Sequence, residues 1–365
     1  VFQNEWINLF PGEKYLWKNR KWQGIPGIER TAKGTLWATW YSGGEGEGPD
    51  NYVVLARSTD CGKTWSKPIM VIDPPDNIRA YDPCLWIDTE ERMWFFWSMC
   101  ESKFDTTKNR WTIFDGKAGV WCILTENPDS ENPEWSQPGK IADGVMLNKP
   151  TVLSTGEWLF PISVWNMPPY LPEMARLRFS NVYVSKDSGK TIELLGQADI
   201  PDRTYCEHMI VELKDKSLWM LVRTSYGIGE SFSYDKGRTW TMGRPSGIQG
   251  PGSRFFIRRL KSGNLLLINH YEFKDKIRSH MTALLSEDDG KSWKYKLLLD
   301  EREKVSYPDA VESDGIIYII YDHDRYGTKE ILMAMITEED IKSGKIISQG
   351  SKLKILVDSD QKREA

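Results

Sequence analysis

Four histidines, five cysteines and no long apolar run are what 365 residues offer in these respects, and each shortage excludes something. His208, His270, His280 and His323 stand in no His/Asp/Glu spacing that reads as a metal site, so neither metal nor cofactor is expected. Cys61, Cys84, Cys100, Cys122 and Cys206 show no C-x-x-C spacing. Their odd number argues against a full disulfide framework, so buried free thiols are expected and the redox compartment stays open. No run of apolar residues reaches the length of a membrane span. No charged-then-apolar leader stands at Val1, as in a mature or trimmed chain. The net charge of −4 is near neutral for this length, and without a basic stripe nucleic acid is excluded as a partner.

What is abundant is aromatic: 17 Trp, 15 Tyr and 12 Phe. Such side chains pack β-sheets well and also stack on sugar rings. One short motif recurs. Ser58-Thr-Asp60-Cys-Gly62-Lys-Thr-Trp65 is repeated in full from Ser233 to Trp240 and from Ser286 to Trp293. Ser185-Lys-Asp187-Ser-Gly189-Lys-Thr-Ile192 lacks only the tryptophan, and a decayed copy spans Thr125 to Trp135. The chemistry is that of a hairpin turn. The Asp accepts hydrogen bonds from nearby N–H groups, the Gly takes a positive φ, and the Trp packs on the sheet.

A second repeat counts the units. Six apolar strands begin at Leu36, Met93, Trp158, Leu218, Leu265 and Ile317. Their spacing is what a four-stranded propeller blade with its loops requires, roughly 40–50 residues or more. Six blades fill the chain, so residues 1–365 are read as one all-β domain, a six-bladed β-propeller. The segment from Thr337 to Ser343 can form at most a short helix.

About ten residues before each strand lies a further recurring segment. Its middle positions are Ile25, Asp82, Lys149, Glu207, Arg254 and Tyr307. Equivalent positions in successive blades form a ring about the axis, so five of six blades are expected to aim a polar group at one opening. The strand ends Tyr41, Ser98, Ser163, Arg223, His270 and Asp322 suggest a second ring.

The repeated turn resembles the Asp-box of the sialidase superfamily, and the order of polar residues also looks like that of sialidases. The resemblance implies a tyrosine nucleophile at Tyr307, activated by Glu207, with Asp50 as acid/base. It implies Arg223 and Arg278 as two of three arginines that clamp a substrate carboxylate, and Asp322 as the acid that orients the first. That first arginine belongs in an Arg-Ile-Pro motif, and this chain has Gly24-Ile25-Pro26. Glycine supplies none of the paired hydrogen bonds of a guanidinium. Lys149 or Arg254 is the candidate substitute from another blade, and ordinary sialosides are expected to be poor substrates.

A phenol ionises near pH 10, so a carboxylate must take its proton as it attacks. For the leaving oxygen, the loop acids Glu45, Glu47 and Asp50 and the ring residue Asp82 are all candidates, Asp50 and Asp82 foremost. His208 and His270 fall at pocket-facing positions, and a histidine with a tyrosine can also support β-elimination beside a uronate. Three functions follow: a retaining exo-glycosidase on terminal acidic sugars, a polysaccharide lyase on uronate-containing glycans, and a non-catalytic carbohydrate-binding propeller. Each takes a glycan or oligosaccharide as partner, and a secreted or periplasmic location is the expectation.

Overall fold

The innermost strand of each unit opens on the recurring polar segment, and this places the site. In the computed structural model, which describes residues 5–359, those strands are Trp22–Arg30, Ile78–Ile87, Thr151–Val152, Met209–Glu212, Phe256–Arg259 and Val305–Ser313. Each starts a sheet whose remaining strands follow outward in chain order, all antiparallel. The result is a six-bladed β-propeller with four strands to a blade. Ile7–Asn8 adds a fifth to the outer edge of the first. The expected apolar strands are the second of each blade: Leu36–Gly43, Met93–Glu101, Trp158–Phe160, Leu218–Thr224, Leu265–His270 and Ile316–His323. First and last blades are tied where Arg20 pairs with Asp358, and Gln23 donates to the Lys329 carbonyl at 2.6 Å.

The four Asp-boxes share one geometry in the loop between third and fourth strands. In the first, Asp60 accepts from the Thr64 N–H at 2.9 Å and the Thr64 hydroxyl at 2.6 Å. Ser58 Oγ accepts from the Gly62 N–H at 2.9 Å. Asp187, Asp235 and Asp288 repeat the contacts. Register puts Ser58, Ser185, Ser233 and Ser286 opposite Leu36, Trp158, Leu218 and Leu265, where the second strands begin. The polar ring lies beside the opposite ends of those strands, so the boxes sit away from it. In the last blade the helix Glu338–Ser343, capped by Thr337, replaces the box. We expect Asp235→Ala to orphan turn N–H groups and cost about 1–2 kcal/mol by chemical denaturation, leaving ligand affinity of the folded fraction unchanged.

In three blades the polar segment is a β-bulge. Gly24 pairs with Tyr41 but Gly27 with Thr39, Tyr81 with Ser98 but Cys84 with Phe96, and Ser306 with Asp322 but Asp309 with Ile320. One extra residue is accommodated each time. Ile25, Asp82 and Tyr307 take φ values of 58°, 48° and 54°, and each precedes a proline. Proline has no N–H to lose from the ladder, which suits it to a bulge. Strained left-handed residues of this kind concentrate at functional sites.

Lys149 and Arg254 hold the same sequence position, but neither is in the left-handed region, and their side chains reach residues of other blades. Lys149 Nζ donates to the carbonyls of Ile28 at 2.5 Å and Leu85 at 2.7 Å. It also pairs with Glu29 at 3.1 Å and Asp309 at 3.2 Å. Arg254 donates to Asn148 and to the carbonyls of Leu147 and Pro26. Both were expected to bind substrate, and here their donors are taken up within the protein. They go to carbonyls and side chains contributed by other blades. All five cysteines are free.

Candidate active site

Tyr307, on the bulge that opens the last blade's inner strand, meets residues from three other parts of the chain. Its hydroxyl donates to Glu207 Oε1 at 2.6 Å. Arg223, near the end of a second strand, donates from Nη1 to that same carboxylate oxygen at 2.9 Å and to the phenol oxygen at 2.8 Å. Tyr205 and Cys206 take positive φ just before Glu207 and deliver the carboxylate to this point. All three groups are nearly buried. Burial first, then the Glu207 charge, push the Tyr307 phenol up, against the pull of Arg223, Arg278 and Arg325. The phenol is therefore neutral at neutral pH and donates to Glu207.

Two further guanidinium groups face the phenol ring, Arg278 at 5.4 Å and Arg325 at 4.4 Å from its centroid. Among the described residues Arg278 makes one hydrogen bond, to the Gly252 carbonyl at 3.1 Å. Arg325 is held by Asp322 through Nε at 3.0 Å and by Ser306 Oγ at 3.0 Å. Asp322 also accepts from the Ile25 N–H at 2.7 Å and from Ser306 at 2.7 Å. Arg325 is the residue that sequence reasoning missed. It follows the second strand of the last blade, where no repeat and no family motif marks it.

Asp82 belongs to the same neighbourhood. It is buried, and its carboxyl is pushed up to about 8 by burial first and then by the charges of Glu47 and Glu207. At neutral pH it is therefore protonated. In the unfolded chain it ionises near pH 4. Folding thus favours the protonated form, and this stabilisation is fully present below about pH 4 and is lost as pH rises through about 8. We expect Asp82→Asn to flatten the fall in melting temperature between about pH 5 and pH 9. An unchanged slope in thermal melts across that range would contradict it.

Glu47, on the glycine-rich loop, pairs with Arg79 at 3.3 Å and accepts from Tyr41. Burial would raise its carboxyl, but the Arg79 charge and the Tyr41 hydrogen bond outweigh this and lower it. Asp50 is exposed at the end of the same loop. It lines an adjoining cavity of about 800 Å³ together with Glu45, Trp111, Tyr205 and Tyr326. Tyr205 connects that cavity to the buried cluster, since its ring centre lies 4.7 Å from the Arg223 guanidinium.

The BNR repeat-like domain family matches residues 34–319. The chain belongs to this family. Among curated relatives it is similar to a sialidase of Clostridium perfringens, 25% identical over 289 residues, which covers 66% of this chain and 69% of that protein. It is equally similar to a sialidase of Bacteroides fragilis, 25% identical over 333 residues, covering 80% of this chain and 59% of that one. Among solved structures, a Dyadobacter fermentans protein of unknown function has a TM-score of 0.65 at 16% identity, with 89% of this chain and 96% of that chain covered. An intramolecular trans-sialidase from Ruminococcus gnavus has a TM-score of 0.64 at 15% identity, covering 92% and 98%. These structural likenesses extend the fold assignment to sialidase propellers. No helix among the described residues is long and apolar enough to cross a membrane.

Of the two histidines at pocket-facing sequence positions, His208 has both ring nitrogens bonded, and His270 has one bonded and Nε2 without a partner. His208 is buried with Nδ1 against the Cys206 carbonyl at 3.0 Å and Nε2 against that of Asn181 at 2.7 Å. His270 bonds the Ser279 carbonyl at 2.9 Å, and burial lowers it to about 4. Among the described residues no histidine hydrogen-bonds Tyr307 or Glu207. The histidine–tyrosine pair on which the lyase reading drew is thus not formed with Tyr307 among the described residues.

Proposed function

We propose that this protein is a retaining exo-glycosidase that removes terminal acidic sugars from glycans. The observation that carries this reading is the contact of Tyr307 with Glu207 at 2.6 Å, shared by Arg223. In the first step the Tyr307 oxygen bonds to the anomeric carbon as its proton passes to Glu207. The glycosidic bond breaks, and the leaving oxygen takes a proton from a carboxylic acid. In the second step water attacks the same carbon and gives its proton to that carboxylate. The phenolate departs and recovers its own proton from Glu207. Two inversions at one carbon give net retention, and the neutral nucleophile avoids repulsion by an anionic substrate.

Two carboxyls compete for the acid/base role. Asp50 is the one that the sialidase resemblance implies, on the loop beside the cavity. Asp82 is the one already protonated at neutral pH. Arg223 and Arg278 provide the charge for a sugar carboxylate. The test is a product screen on an acidic-glycan panel read by mass spectrometry. Release of a terminal acidic sugar supports the reading. Binding without any mass change, as in a lectin, or new absorbance near ~235 nm from an unsaturated uronate would replace it. A leaving-group series then separates the acids. Loss of the true acid/base slows poor leaving groups far more than activated aryl ones.

A further inference from the structure

The position of the family's first arginine is not vacant space. A Cβ added to Gly24 would lie 2.7 Å from Arg325 Nε, 2.8 Å from its Cδ and 2.9 Å from its Cγ. Any side chain at position 24 would have to displace the Arg325 side chain, which runs directly across the glycine. Arg325 ends where a guanidinium would be useful, 4.4 Å from the Tyr307 ring centre. It is also oriented by Asp322, at 2.9 and 3.0 Å. Asp322 is the acid that, by the family resemblance, would orient the missing arginine.

The charges point the same way. Arg223, Arg278 and Arg325 face the phenol, and two carboxylates balance them: Glu207 with Arg223, and Asp322 with Arg325. Among the described residues Arg278 has no carboxylate partner and bonds a backbone carbonyl. Burial lowers it, with Arg325 and Arg223 adding to the effect and Tyr307 opposing it. Glu47 and its partner Arg79 add one charge of each sign beside these three cations and two anions, so the cluster keeps one positive charge, which suits a single carboxylate. Bidentate guanidinium–carboxylate contacts are the strong, geometrically specific ones.

We propose that Arg325 and Gly24 form an exchanged unit, in which Arg325 supplies from the last blade the third guanidinium of a carboxylate clamp that position 24 no longer supplies. The proposal rests on the acidic-sugar reading above and deepens it. It also removes the ground for expecting sialosides to be poor substrates, since that expectation took the arginine to be absent.

The probes are N-acetylneuraminic acid and D-glucuronic acid, each titrated beside its neutral methyl ester by NMR or calorimetry. At least one acid should bind wild type more tightly than its ester. Arg325→Ala should weaken that acid by about 10- to 100-fold, the worth of hydrogen bonds to a charged group, and leave the ester unchanged. Arg325→Met, which keeps the bulk over Gly24, should behave like Arg325→Ala; thermal melts report whether each variant is folded. Gly24→Arg in the Arg325→Ala background should recover most of the loss. An acid-over-ester preference that is the same in wild type and Arg325→Ala, including no preference in either, would overturn the clamp. Turnover of Tyr307→Phe tests the catalytic reading separately. If the clamp fails while Tyr307→Phe is inactive, only the clamp falls. If Arg325 governs acid binding while Tyr307→Phe turns over normally, only the mechanism falls.

Discussion

Replacing Tyr307 by Phe is expected to lower kcat by about 10³-fold or more on the true substrate while changing its binding little. Only the hydroxyl is lost, and the ring still supports Arg278 and Arg325. Glu207→Gln should act similarly, because an amide cannot take up the phenolic proton. The two residues share one hydrogen bond, so they should behave as one unit. The double variant should then be little slower than either single one. Single-turnover rates with ligand affinities measured in parallel provide the check. Two losses that multiply would mean that the residues act independently. Arg223 bonds both, so Arg223→Ala should raise KM and lower kcat together.

The second large effect is on stability. Lys149→Met should cost about 3–5 kcal/mol in chemical denaturation, the usual result of removing one partner from a buried ion pair. The Lys149 side chain is 2% exposed and leaves behind Glu29 and Asp309, themselves 5% and 1% exposed. Burial alone would lower the lysine, but Asp309 and Glu29 outweigh it and raise it, so the ammonium is charged in the fold. The variant also loses two donors to the carbonyls of Ile28 and Leu85, which tie the first two blades to the third. The folded fraction should keep its affinity for an acidic sugar. Unchanged stability with lost binding would return Lys149 to the substrate pocket.

Much of the fold was legible because its signals are local. The Asp-box carries its own hydrogen bonds within a few residues, as Asp60 does with Thr64, so each copy can be read without its surroundings. The apolar second strands are equally self-contained. Ring positions were harder. Asp82, Lys149, Arg254 and Tyr307 occupy equivalent places in sequence, and a proline follows three of them. Of these four only Asp82 and Tyr307 have positive φ, while Glu207, at the same position, reaches Tyr307 through the positive φ of Tyr205 and Cys206 before it. Sequence carries no separate mark of these differences. Arg325 was out of reach for another reason. It compensates for Gly24 across about 300 residues, and the pairing exists only because the last blade closes on the first. A single sequence shows the loss at position 24 without showing what fills it.

The central claim is that Tyr307 forms a covalent bond with the sugar. The most direct measurement is peptide mass spectrometry after rapid acid quench, with an acidic-sugar fluoride bearing a second fluorine beside the anomeric carbon. That fluorine disfavours the oxocarbenium-like transition state and slows breakdown of the intermediate, while the activated leaving group keeps its formation fast. The account predicts a sugar adduct on the peptide containing Tyr307, absent from Tyr307→Phe. Turnover of the reagent with no adduct, or with an adduct on a carboxylate such as Glu207 or Asp82, would contradict it.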